Sequence, residues 1–369
     1  VMQQPKILVV TSSFGNGHKQ VSKALKSEFE NHDLKNVTII DLYDEAYPTL
    51  NTFAKQLHIN MFKHAQTVYK WFFYGTEKLY NLSIIDKLLE LSGKKIKSIL
   101  QIEKPDIIVT TFPVESVAKW KKISGHPCKL YTVITDYYIH RSWINDEVDR
   151  YYIATEELLP QLSRFGVPFS KVLVSGIPIR EEFRKIERSK LIVDEHQTNL
   201  NYRILIVAGA VGALKDVKKI TQQLLNDERL SVKVVCGNNR NLYKSLINQV
   251  EVYNGRLQVF GYVNDIYNLY KEADLLITKP GGITLSESIA CSLPTILYRP
   301  TPGQESENSR VFENVGASLT VKTISDLVDY VEQILEKPYY LFKMKISLMN
   351  LYKGFSSQLI VNDIFEGIS

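Results

Sequence analysis

Asp274-Leu275-Leu276-Ile277-Thr278 runs into Lys279-Pro280-Gly281-Gly282 and on into Ile283-Thr284-Leu285-Ser286-Glu287. A short unbroken apolar run ahead of a glycine pair reads as a strand buried on both faces. The glycines let backbone approach a ligand closely. The first N–H groups of the helix that follows lack internal partners and attract an anion. Glu287 falls about one turn in, where a carboxylate reaches paired hydroxyls such as those of a ribose. Farther on, Gly303-Gln304-Glu305 with Asn308 gathers amide and carboxylate side chains suited to sugar hydroxyls. Phosphate contact beside ribose contact implies a nucleotide. Each piece also has a plainer reading as a strand-to-helix turn, a helix cap or a solvated first turn.

The same strand–loop–helix order extends outward from this stretch. Apolar runs without alternation at 6–11, 37–41, 106–111, 130–135, 151–154 and 172–174 predict one set of strands, with helices between them such as 19–31. Gly176-Ile177-Pro178 closes that set, and charged residues 180–200 suit a surface connection. A second set follows at 203–207, 232–236, 257–260, 275–278 and 295–298, with helical spacing at 325–336 and 352–365. Strands of this kind separated by helices indicate parallel sheets covered on both faces. The fold class is therefore α/β, two doubly wound, Rossmann-like parallel-sheet domains facing a cleft, with ligands at the carboxyl ends of the strands. Residues 1–178 form the first domain, joined by a carboxy-terminal helix within 352–369, and 179–351 form the second.

The bulk numbers narrow the class. At 369 residues, 44% hydrophobic and 23% charged, the chain suits two globular domains. A net charge of +5 fits an anionic nucleotide or an acidic membrane face and does not argue for nucleic acid. Cys128, Cys236 and Cys291 are scattered in apolar surroundings, which suits reduced core thiols and neither disulfides nor a metal motif. No run approaches the roughly 18 apolar residues of a membrane span, and the chain enters a strand with no signal peptide, so a cytoplasmic protein is expected. Residues 50–100 interleave aromatics, densest at Trp71-Phe72-Phe73-Tyr74, with lysines. That composition fits an amphipathic surface against lipid, and equally a core with a solvated lysine face.

Further candidates sit at strand ends. Ser13-Phe14-Gly15-Asn16-Gly17-His18 follows the first strand and opens a helix. Gly17 permits close approach, and a helix start favours a neutral imidazole, making His18 a candidate general base or merely a loop hydrogen-bond donor. Gly15 and Gly17 begin a dinucleotide fingerprint, but Gln20 occupies its third glycine position and Asp41 lies beyond the roughly 20-residue spacing. Gly209 and Gly212 leave room for a diphosphate after the first strand of the second set, and Gly261-Tyr262 can frame a flat base. Asp136 lies just past a buried strand, followed by His140 and Trp143, which either meet an acceptor or serve structure.

Together these elements resemble the GT-B glycosyltransferases that bind UDP-sugars, in particular the processive diacylglycerol glucosyltransferases of Gram-positive bacteria. Those are kin of plant monogalactosyldiacylglycerol synthases in glycosyltransferase family 28. The resemblance spans nearly the whole chain. Its specific part is Thr278-Lys279-Pro280-Gly281-Gly282-Ile283-Thr284 with Glu287, followed by Pro302-Gly303-Gln304-Glu305 with Asn308. It implies UDP-glucose as donor substrate with no further cofactor and no bound metal. Gly261 and Tyr262 would lie by the uracil, Glu287 on the ribose, and Gly209, Gly212 and Gly282 to Thr284 around the phosphates. Lys279, Gly281 and Gly303 would belong to the same loops, and Gln304, Glu305 and Asn308 would face the glucose. The first domain would bind diacylglycerol, with His18 or Asp136 as base, and the reaction would invert the anomeric carbon. The implied location is peripheral, on the cytoplasmic face of the cell membrane against anionic lipid, in the synthesis of glycolipid and lipoteichoic acid anchors. The resemblance specifies no division or regulatory protein partner. Rival readings are a UDP-sugar-sensing regulatory protein, a UDP-galactose-dependent or peptidoglycan-precursor glycosyltransferase, and a UDP-sugar epimerase.

Overall fold

The computed structural model describes residues 4–12, 16–42, 94–186, 201–209 and 214–367. The chain divides into two compact units, one of Val1–Glu181, Pro302–Gln304 and Lys353–Ser369, the other of Glu182–Thr301 and Glu305–Tyr352. The aromatic and basic stretch up to residue 93, Phe14 and Gly15, and the loop positions 210–213 with Gly212 lie outside the described residues.

In the first unit β1 (Ile7–Thr11), β2 (Val37–Asp41), β3 (Ile107–Thr110), β4 (Lys129–Val133), β5 (Arg150–Ile153) and β6 (Val172–Val174) form one sheet in the order β2-β1-β3-β4-β5-β6. All its pairings are parallel. Helix α1 (Asn16–Asn31) follows β1, and α2 (Glu115–Ser124) joins β3 to β4. Every residue of β1 and β3 is buried, which explains their unbroken apolar sequence.

The second unit repeats the design with β7 (Tyr202–Val207), β8 (Leu230–Val235), β9 (Leu257–Phe260), β10 (Leu275–Thr278), β11 (Thr295–Tyr298) and β12 (Ser318–Val321), in the order β12-β11-β10-β7-β8-β9. Its pairings are parallel as well. Ile204, Ile206, Val232, Val234, Ile277 and Ile296 build the core on one face. Leu205, Leu276 and Leu297 are as fully buried, so both faces are covered. Arg203 grips Asp274 through two side-chain bonds of 3.1 and 2.9 Å, which locks β7 to β10 at their amino ends. Helix α3 (Val217–Leu224) follows β7, α4 (Gly282–Cys291) follows β10 and α5 (Gln304–Asn314) follows β11. Helix α6 (Tyr339–Leu351) packs on α4, and α7 (Ser356–Glu366) packs on α1.

Three elements differ from the sequence reading, among them helix α6, which the spacing did not predict. The edge strand β12 mixes Ser318 and Thr320 with apolar residues, so it lacks the continuous run that marks the inner strands. The helical spacing read over 352–365 starts only at Ser356, because Gly354 at φ 126° breaks the chain between α6 and α7. Among the described residues no helix is long and apolar enough to cross a membrane.

Candidate functional site

The sheet order of the first unit reverses between β1 and β3, so the loops leaving these strands diverge and open a crevice at their carboxyl ends. His18 stands there, in the first turn of α1 next to Gly17, and Thr111 stands just past β3. His18 Nδ1 is 2.7 Å from the Thr111 carbonyl oxygen. A carbonyl only accepts, so Nδ1 carries the proton and Nε2 keeps its lone pair, a tautomer assigned from this bond. Thr135 Oγ1 lies 3.0 Å from the same nitrogen, and Phe112 meets the ring edge-on at 5.3 Å. Beneath it Ser22 Oγ donates to the His18 carbonyl at 2.9 Å and sits 3.0 Å from Thr111 Oγ1. Thr111 Oγ1 in turn donates to Thr11 Oγ1 at 3.0 Å.

Burial pushes the His18 pKa from 6.5 down to about 4, against the opposing pull of the Thr111 bond. The imidazole is thus neutral at neutral pH. The folded chain resists a proton that the unfolded chain accepts, so stability present above pH 6.5 is lost as pH falls toward 4. We expect His18→Gln to remove this acid sensitivity, at most about 1.4 kcal/mol per pH unit. Parallel denaturant melts of the two proteins from pH 7 to 4 measure it, and identical pH slopes would contradict it.

Asp136, 9% exposed, follows β4 and accepts from Gln304 Nε2, a residue of the same unit. His140 serves as a cap: its Nδ1 accepts the Ser142 backbone N–H at 3.2 Å. Trp143 is buried and lines a cavity of about 180 Å³ with Phe112, Thr110 and Thr132.

In the second unit the order reverses between β7 and β10, and the loops at this switch point carry the glycine motifs. Gly209 follows β7 with φ 81°, a conformation that disfavours any side chain. Gly281 caps α4, and the first helical bond runs from Leu285 N to Gly281 O at 3.0 Å. The N–H groups of Gly282, Ile283 and Thr284 precede that bond and form the positive end of the helix. Glu287 lies on the same helix and is 3% exposed. It also contributes, after desolvation, to raising the pKa of the buried Cys291 thiol.

Gly261 and Tyr262 follow the edge strand β9, and Tyr262 is 55% exposed. A methyl group placed on Gly261 meets no atom within 4 Å. Gly261→Ala is therefore expected to move stability by no more than about 0.5 kcal/mol. Thermal melts check this, and a large loss of stability would contradict it.

The side chains after β11 are held by the neighbouring loops. Asn308, expected to face the sugar, is fully buried and donates to the Pro280 carbonyl at 3.0 Å. Its place on α5 turns the side chain inward onto the β10 loop. Glu305 Oε2 accepts from Thr301 N at 2.6 Å and Thr301 Oγ1 at 2.7 Å, and pairs with Lys279 at 3.1 Å. Lys279 Nζ also donates to the Arg299 carbonyl. Gly303 holds φ 97° immediately before α5. Sequence reasoning missed Thr111 and Thr135 beside His18, because strand order alone brings them together.

Two doubly wound six-stranded sheets with their loops at the carboxyl ends define the GT-B class. The crystal structure of Acinetobacter baumannii MurG aligns with a TM-score of 0.65 at 14% identity, covering 98% of this chain and 100% of that one. The UDP-GlcNAc 2-epimerase of Neisseria meningitidis bound to UDP-GlcNAc gives 0.61 at 15% identity, covering 98% and 99%. Residues 18–179 match the monogalactosyldiacylglycerol (MGDG) synthase family, and residues 189–347 match glycosyl transferases group 1. The processive diacylglycerol beta-glucosyltransferase of Bacillus thuringiensis (strain Al Hakam) is 38% identical over 367 residues, 99% of this chain and 95% of the relative. The chain belongs to the processive diacylglycerol beta-glucosyltransferase family.

Proposed function

We propose that this chain transfers glucose from UDP-glucose to 1,2-diacylglycerol with inversion, then adds glucose again to its own product. The observation that carries the reading is 38% identity over 99% of the chain to relatives named for that activity, since transferases and epimerases share the fold. In this reading the start of α4 faces the donor diphosphate beside Gly209. Glu287 takes the ribose, Gly261 and Tyr262 the uracil, and Gln304 and Glu305 the glucose. Helix-end N–H groups stabilise the charge that develops on the departing diphosphate.

The acceptor hydroxyl meets His18. As its oxygen bonds to the anomeric carbon, the bond from that carbon to the diphosphate oxygen breaks and its electron pair leaves with UDP. The hydroxyl proton passes to His18 Nε2, the ring nitrogen that the Thr111 bond leaves unprotonated. Asp136 orients the acceptor. Diacylglycerol resides in bilayers, so the enzyme works peripherally, on the cytoplasmic face of the membrane. Thin-layer chromatography of diacylglycerol micelles incubated with labelled UDP-glucose or UDP-galactose tests the assignment. Mono- and diglucosyl lipid from UDP-glucose is expected, and label entering lipid only from UDP-galactose would overturn the donor.

A further inference from the structure

Two residues of the second unit, Asp216 and Arg299, hold left-handed backbone without being glycine, at φ 60° and 49°. Side chains disfavour this region, and residues kept there are held by their surroundings. These two hold each other. Arg299 Nη1 donates to Asp216 Oδ2 at 2.7 Å, and Tyr298 OH donates to the same oxygen at 3.2 Å. Arg299 Nε donates to the Lys322 carbonyl at 2.7 Å. Asp216 occupies the N-cap of α3, where an aspartate ordinarily bonds the helix N–H groups, yet its side chain makes no capping bond. Its carboxylate is diverted across the sheet edge to the β11 loop.

The chain of contacts continues. The Arg299 carbonyl accepts from Lys279 of the β10 loop, and Lys279 pairs with Glu305, whose carboxylate accepts from the Thr301 N–H and hydroxyl. The start of α3 and the loops after β10 and β11 are thus strung on one run of polar contacts. Gly209 precedes that helix start, and Gly281 and Gln304 follow those two strands.

We propose that Asp216 and Arg299 are a positioning pair that sets the start of α3 against the β10 and β11 loops, so that all three meet one nucleoside diphosphate sugar together. The inference rests on the donor-site reading of this unit. The pair touches no reacting atom and acts on donor affinity. A purified full chain carrying Asp216→Asn, Arg299→Gln or both tests it, with UDP as calorimetric probe and steady-state kinetics on UDP-glucose and diacylglycerol. Each single variant is expected to weaken UDP and raise KM for UDP-glucose by about tenfold, with kcat and KM for diacylglycerol nearly unchanged. The double variant should be no worse than either single, as for two halves of one interaction. Additive losses, or a fall in kcat that accompanies a fall in melting temperature at unchanged donor KM, would overturn it. Glu287→Ala measured alongside separates the two readings. Weakened UDP there with wild-type affinity in Asp216→Asn defeats the pair alone, whereas wild-type affinity in both defeats the donor site and the pair together.

Discussion

His18→Ala is expected to lower kcat at least about 100-fold while UDP affinity stays at the wild-type value, the pattern of a lost general base. The expectation follows from how the ring is held. Nδ1 is committed to the Thr111 carbonyl at 2.7 Å, so the remaining nitrogen accepts. Burial holds the pKa at about 4, so the base is already deprotonated across the neutral range. The acid limb of kcat/KM governed by this group should accordingly lie below pH 6, beneath the ordinary histidine range. Thr135→Val, which removes the hydroxyl at 3.0 Å from Nδ1, should shift that limb without abolishing turnover. Stopped assays from pH 4.5 to 8 with both variants provide the readout. Wild-type turnover in His18→Ala would remove the imidazole from the mechanism and leave Asp136 as the base.

Glu287→Ala carries the second large effect, a loss of UDP affinity of roughly 10- to 100-fold, the worth of hydrogen bonds donated to a charged acceptor. Its place on α4 is fixed by a helix buried along most of its length. At 3% exposure the carboxylate gains little from water, so a ribose that supplies two hydroxyls meets a group already desolvated. Calorimetry with UDP and with its 2′-deoxy counterpart separates ribose contact from general disturbance. The alanine variant should bind both ligands equally, and the wild type should prefer the ribose form. Equal binding of the two by the wild type would reject the ribose role.

Much of the architecture was legible because parallel strands buried on both faces write themselves as apolar runs. The runs at 37–41, 257–260, 275–278 and 295–298 coincide with β2, β9, β10 and β11. The edge strand β12 was not legible, since its mixed polarity resembles a loop. Helix α6 was missed for a related reason: Tyr339, Tyr340 and Ile346 stay exposed, so its apolar residues do not fall on a single stripe. At the candidate site, glycines and charged residues could be read from the sequence, but their partners could not. Nothing in one chain's order of residues says that β3 lies beside β1, and that adjacency alone puts the Thr111 carbonyl on His18. The spacing offers Asn308 as a sugar ligand but does not disclose its bond to the Pro280 carbonyl of the β10 loop. Nothing in the order of residues pairs Asp216 with Arg299; their backbone angles and shared bond do.

The most direct test of the account is proton NMR of the lipid formed when the purified chain meets UDP-glucose and diacylglycerol. One direct displacement by the glycerol hydroxyl predicts glucose joined to that oxygen with the large H1–H2 coupling of a β linkage. A small coupling, marking the α linkage, or release of free glucose with no lipid product, would contradict it.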